Sequence, residues 1–159
     1  EQQIALASSF PGSIIALEIG PGREFICQKS SFLCATPGVN LSVEWMRRVG
    51  AGLFGGEGFL LQRLSGQGLA FLEIDGHAVE KTLAPGEQLK VNTGNVAAFE
   101  SSVRYNIETV KGFKNVLFGG EGLFLTVLTG PGRVWLQTIS MPEFAQKIIP
   151  FLPTPSSGN

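Results

Sequence analysis

A chain of 159 residues makes one domain, or two small units that must share buried surface to be stable. Its net charge of −1 and pI near 5.9 argue against phosphate-backbone binding, so no nucleic-acid partner is expected. Charged residues make up only 16%, which predicts a surface partly covered by another subunit or segment. Glycines and charges break every apolar run before the roughly 18–20 residues of a membrane helix.

Short runs of alternating apolar and polar residues, separated by Gly and Pro, predict strands. In chain order they fall at 14–19, 24–28, 31–35, 41–47, 58–64 and 69–74, then at 79–83, 88–91, 95–100, 104–110, 122–128 and 133–139. Turns are predicted at Gly20-Pro21-Gly22, Ser65-Gly66, Asp75-Gly76, Pro85-Gly86, Thr93-Gly94 and Thr129-Gly130-Pro131-Gly132. Such spacing indicates an all-β sandwich or barrel. Only the end reads as helix. Ser140 and Glu143 have the spacing of a capping box, and Phe144, Ile148 and Phe151 recur on one helical face. Pro150 and Pro153 should end that helix.

The chain repeats itself. The string LFGGEG stands at 53–58 and again at 117–122, and 11 of the 21 positions from 53 to 73 are identical at an offset of 64. The same offset carries Pro21-Gly22 onto Pro85-Gly86 and Val43 onto Ile107. The expected organisation is therefore a remnant of a preceding repeat at 1–13, a first β-repeat at 14–77 and a second at 78–139. A helix at 140–152 and a tail at 153–159 follow. Residues 3–12 are expected to be the last strand of the preceding copy. The predicted fold is all-β: tandem jelly-roll-like sandwich repeats of about 64 residues sharing a core, with a short C-terminal helix.

The offset sorts the chemistry. Cys27 and Cys34 align with Val91 and Ala98, so two apolar slots that hold Cys are expected rather than a redox pair or a metal site. Glu57 and Glu121 sit in the two glycine turns. They read as fasteners of their own turns, the alternative being a carboxylate pair facing a cleft or cation. Arg47, Arg48, Lys111 and Lys114 precede each LFGGEG. They form a solvated rim or, alternatively, an anion site for a phosphate, lipid headgroup or acidic partner. Phe54 and Phe118 flank the glycines as core plugs or interface residues. Trp135 is expected in the core and Trp45 partly exposed. His77, the only histidine, reads as a solvated turn residue and cannot by itself make a cupin-type metal site. GGEG lacks the Lys of a phosphate loop and precedes a strand. No nucleophile–base pair is legible, so neither enzymatic activity nor a cofactor is expected.

The paired GGEG motifs, the Pro-Gly turns, FICQKSSFLCA and GPGRVWLQ resemble a widespread family. It includes bacterial proteins of unassigned function and a fungal mitochondrial protein named for altered inheritance of mitochondria. The resemblance implies tandem β-sandwich repeats with a fold like the ring-forming tryptophan-RNA-binding attenuation protein. It also implies a further copy ahead of the part seen here, and no assigned catalytic residues. For eukaryotic members it implies a part in inner-membrane organisation and biogenesis. The expected function is a non-enzymatic assembly or scaffold protein, the alternative a small-molecule or anionic-headgroup binding module. A homo-oligomer is expected, with a membrane surface or a protein as a further partner. No secretory or transit segment is legible, which points to a bacterial cytoplasmic protein, or a mitochondrial one if the source is eukaryotic.

Overall fold

The computed structural model describes residues 3–47, 59–109 and 124–153. The chain is mostly β-sheet with one short C-terminal helix. Twelve strands are described: β1 Gly12–Ile19, β2 Phe25–Gln28, β3 Phe32–Ala35, β4 Val39–Arg47, β5 Phe59–Gly66, β6 Gly68–Asp75, β7 Ala78–Leu83, β8 Gln88–Asn92, β9 Val96–Glu100, β10 Arg104–Thr109, β11 Phe124–Thr129 and β12 Gly132–Gln137. The helix α1 spans Met141–Ile148, and a 3-10 turn, Ile149–Phe151, follows it.

Three antiparallel sheets result. Two have three strands, in the orders β1-β6-β3 and β10-β11-β8; the third has six, in the order β4-β5-β2-β9-β12-β7. The six-stranded sheet is continuous because β2 pairs with β9, setting Phe25 opposite Glu100, Ile26 opposite Phe99 and Cys27 opposite Ala98. Shifting strand positions by 64 turns β4-β5-β2 into β10-β11-β8, and β3-β6-β1 into β9-β12-β7. The irregularities shift as well. Leu33 is the extra residue where β3 pairs with β6, and Ala97 is the extra residue where β9 pairs with β12.

The six-stranded sheet divides the interior. Because side chains alternate across a strand, Phe25 and Cys27 of β2 face one core and Ile26 faces the other. The first core holds Leu17, Leu64, Leu72, Ile74 and Trp135. The second holds Leu61, Phe99, Val103, Leu128 and Val134. The shared core expected from the sequence is thus two clusters on opposite faces of one sheet, bound together by β2 and β9. All four residues of β2 are buried, as are the first four of β9. This is why both read as short continuous apolar runs rather than alternating ones. At Ala97 the bulge turns two consecutive small residues, Ala97 and Ala98, into the first core.

Trp135 lies in the core, its ring edge-on to Phe25 at 5.6 Å. Cys27 and Cys34 are both free thiols. Burial pushes the Cys27 thiol up to about 12, so it is no nucleophile near neutral pH, in keeping with an apolar slot. His77 is exposed beside Gly76, which has φ of 76°, and its N–H donates to Thr138 Oγ1 at 2.8 Å.

Three local expectations fail for physical reasons. Residues 3–11 form no strand. Glu73 holds them instead, accepting the Ser9 N–H at 2.6 Å and the Ser8 and Ser9 hydroxyls at 3.1 and 3.0 Å. The capping box does not form: Ser140 makes no side-chain cap bond, and Glu143 accepts from Asn92 Nδ2 at 2.8 Å. The last strand stops at Gln137 because Thr138 and Ile139 donate their N–H groups to the His77 and Asp75 carbonyls. The helical stripe is only partly used. Phe144 packs edge-on against Phe10 at 4.9 Å, whereas Phe151 is 86% exposed.

At the turn between β6 and β7, burial and then the neighbouring Glu73 carboxylate raise the Asp75 carboxyl above its ordinary 3.8. A folded state that binds the proton more tightly than the unfolded chain gains stability in acid. That gain is lost as pH rises through the raised value. Asp75→Asn, which leaves the Asp75 backbone bonds in place, should therefore raise the urea midpoint at neutral pH. The advantage should disappear as the pH falls below the ordinary carboxylate range; equal midpoints at neutral pH would contradict it.

Candidate functional site

Arg48, Phe54, Glu57, Lys111, Lys114, Phe118 and Glu121 lie outside the described residues. Of Arg47 the structure gives the backbone, which ends β4 opposite Phe59. Trp45 is placed by its backbone alone, in β4. A polar concave surface lies elsewhere, on the outer face of β8, β10 and β11. It is a hollow of about 220 Å³ lined by Gln88, Lys90, Arg104, Tyr105, Asn106, Glu108, Val127 and Thr129.

Strand register builds it. The central strand, β11, has β10 on one side and β8 on the other. One row across the three strands reads Arg104, Thr129, Gln88; the next reads Asn106, Val127, Lys90; the third reads Glu108, Leu125, Asn92. Alternation sends Leu128, Leu89, Ile107 and Tyr105 into the second core, Tyr105 reaching only the rim of the hollow, and leaves the hollow's other residues on the opposite face. Val127 is its floor, with 7% exposure. Lys90 Nζ reaches Glu108 Oε2 at 3.0 Å, a half-exposed pair held weakly in water. The Arg104 side chain makes no hydrogen bond or ion pair with any described residue.

The face 64 residues earlier is built differently. There the middle row reads Ser42, Arg63, Ile26. Arg63 Nη1 meets Glu24 at 2.8 Å and its Nε meets Glu44 at 2.8 Å. The hydrogen bond to Glu44, first among its causes, holds this guanidinium still more firmly protonated. Tyr105 of β10 lies nearby: burial first, then the Glu44 charge, raises its phenol above the ordinary value. A second closed cluster sits on β12. Arg133 Nε donates to Glu100 Oε1 at 2.8 Å and its N–H to Glu100 Oε2 at 2.9 Å. Its guanidinium also stacks 5.0 Å from the Trp135 ring centre, while Trp135 Nε1 donates to Glu80 at 3.1 Å. These two clusters satisfy themselves, whereas the hollow does not.

The hollow presents cationic, carboxylate, amide and hydroxyl groups around an apolar floor. Among the described residues, no group of three or more His, Cys, Asp and Glu is placed to hold a metal ion, and no helix is long and apolar enough to cross a membrane. Motif reading missed the hollow, although its signal is present in the sequence. It lies where the two halves differ, as Ile26 becomes Lys90, Asn40 becomes Arg104 and Arg63 becomes Val127.

An uncharacterised protein of Streptococcus pyogenes serotype M6 is 28% identical over 156 residues, covering 98% of this chain and 61% of the relative. A crystal structure of a Streptococcus pyogenes protein superposes with a TM-score of 0.77 at 23% identity, over 92% of this chain and 63% of that one. The chain thus spans about three fifths of the length of either, and the structural likeness speaks for the fold alone. The family model described as mitochondrial biogenesis AIM24 matches residues 1–139, and the chain belongs to that family.

Proposed function

We propose that the chain is a non-enzymatic β-repeat assembly module. In this reading it is two jelly-roll-like sandwich units of about 64 residues, joined edge to edge and open to a further unit. The carrying observation is the β2–β9 junction. By the 64-residue offset β8 is the counterpart of β2, and β3 is the counterpart of β9. Each closes one side of a three-stranded sheet and has no strand beyond it among the described residues. An unpaired strand edge is a template for another chain, and these two edges have the complementarity of the junction already formed. A β8–β3 contact between copies is heterologous, so it builds a closed ring or an open chain of subunits. In eukaryotic relatives this reading extends to the membrane organisation that the family resemblance implies.

The existing junction fixes the expected register. Leu89 should face Thr36, Lys90 should face Ala35, and Val91 should face Cys34, since Phe25 faces Glu100 and Cys27 faces Ala98. Directly opposed residues of an antiparallel pair lie within disulfide reach. Under mild oxidation Val91→Cys should therefore form an intermolecular bond to Cys34 and give a ladder on non-reducing gels. Adding Cys34→Ser should abolish the ladder. Sedimentation of the unmodified chain should show concentration-dependent association. A monomer at all concentrations, with no ladder, would refute the reading.

A further inference from the structure

We propose that the hollow on the outer face of β8, β10 and β11 binds a small organic anion, a molecule of about monosaccharide size carrying a phosphate or carboxylate group. The argument comes from the difference between the two halves of the chain. On the earlier face Arg63 fills the centre of the middle row and pairs with both Glu24 and Glu44. On the later face that centre is Val127. The long side chain has gone, and about 220 Å³ of space stands in its place. Glu24 has become the neutral Gln88, and positive charge has moved to the two flanking strands as Arg104 and Lys90. A face whose one cation is shared by two carboxylates has thus become an open one on which two cations, Arg104 and Lys90, stand with one carboxylate, Glu108.

The corners suit one ligand. Arg104 and Lys90 flank β11 diagonally, about 12 Å apart at the backbone by sheet spacing. The Arg104 side chain has no partner among the described residues, so its guanidinium is free to bind a phosphate or carboxylate in bidentate fashion. Lys90 meets Glu108, and an ammonium has further N–H donors to offer. The amides of Gln88 and Asn106 and the hydroxyl of Thr129 are donors and acceptors of the kind that read hydroxyl groups, over the apolar floor of Val127. The volume corresponds to about seven waters, at roughly 30 Å³ each, which is more than a bare inorganic ion needs. The site depends on side chains of one sheet face and not on edge pairing through β3.

Glycerol 3-phosphate, inorganic phosphate, and vesicles of phosphatidylcholine with or without phosphatidic acid are the probes, titrated into the 159-residue chain. Backbone amide shifts should be confined to β8, β10 and β11, with glycerol 3-phosphate binding more tightly than inorganic phosphate. Arg104→Gln, a change at an exposed position, should weaken binding roughly ten- to hundredfold, the effect of losing a hydrogen bond to a charged group. Val127→Phe should fill the floor of the hollow with a larger, uncharged side chain and close the site. If it fails to fold, Arg104→Gln decides the matter alone. Binding of phosphatidic-acid vesicles but not of the soluble probes, lost in Arg104→Gln, would identify the anion as a lipid headgroup. Response to the soluble probes would identify a free metabolite. No binding to either source, shifts scattered over the surface, or Arg104→Gln binding as well as the unmodified chain would overturn the proposal.

Discussion

Phe99→Ala is expected to lower the unfolding free energy by about 3–5 kcal/mol, a large part of the roughly 5–15 kcal/mol that holds a domain folded. Phe99 is fully buried. It sits on β9, between β2 and β12, and pairs with Ile26 on one side and Val134 on the other. Its ring meets Tyr105 of β10 at 5.3 Å, so it ties the second core to the junction between the two halves. Truncation leaves a cavity beneath a sheet covered on both faces, with little freedom to collapse around it. Phe99→Leu keeps most of the volume and should cost much less. Urea denaturation with a common slope would check both. A loss below about 1 kcal/mol for the alanine variant would mean that the junction is not part of the rigid core.

The twelve strands were legible because alternation and turn residues act locally. The structure moves most of their ends by one or two residues. It extends β5 to Gly66 and begins β6 at Gly68, with φ of 94° and 149° at these glycines. The doubly buried β2 was legible too, since FICQ is a compact apolar run. Strand partnership was not legible. Nothing in FICQ or VAAF says that they pair with each other, because pairing across 70 residues is decided by packing and not by propensity. The capping box failed for the same reason, as Asn92 is distant in sequence and its side chain engages Glu143.

The hollow was hidden in another way. Its residues come from three strands and meet only when register is known, so no contiguous motif marks it. Attention to what the repeat preserves, LFGGEG above all, led to residues outside those described here. The hollow lies in what the repeat alters. Arg63 and Val127 occupy the same place in the two halves, and the substitution of one for the other removes a charge and frees a volume beside Arg104, whose side chain has no partner among the described residues. In a duplicated chain, positions common to both copies report on the architecture. Positions that differ at one structural site are where a function confined to one copy can reside.

Leu64→Ala and Leu128→Ala test whether the two halves unfold together. These leucines are 64 residues apart in sequence, both fully buried, and belong to different cores. Each truncation should cost about 2–5 kcal/mol. If the halves were independent, either substitution would shift one of two unfolding transitions and leave the other in place. The six-stranded sheet argues against that. β2 belongs to the first half and β9 to the second, and each is buried on both faces by residues of both halves. Opening one half would therefore strip one face of the junction and expose Ile26 or Ala98 to water. Both variants should show a single transition, shifted by similar amounts whether followed by fluorescence of the Trp residues or by far-ultraviolet circular dichroism. Two transitions, with only one of them moved by each substitution, would show that the β2–β9 junction is a contact between separate folding units and not the centre of one.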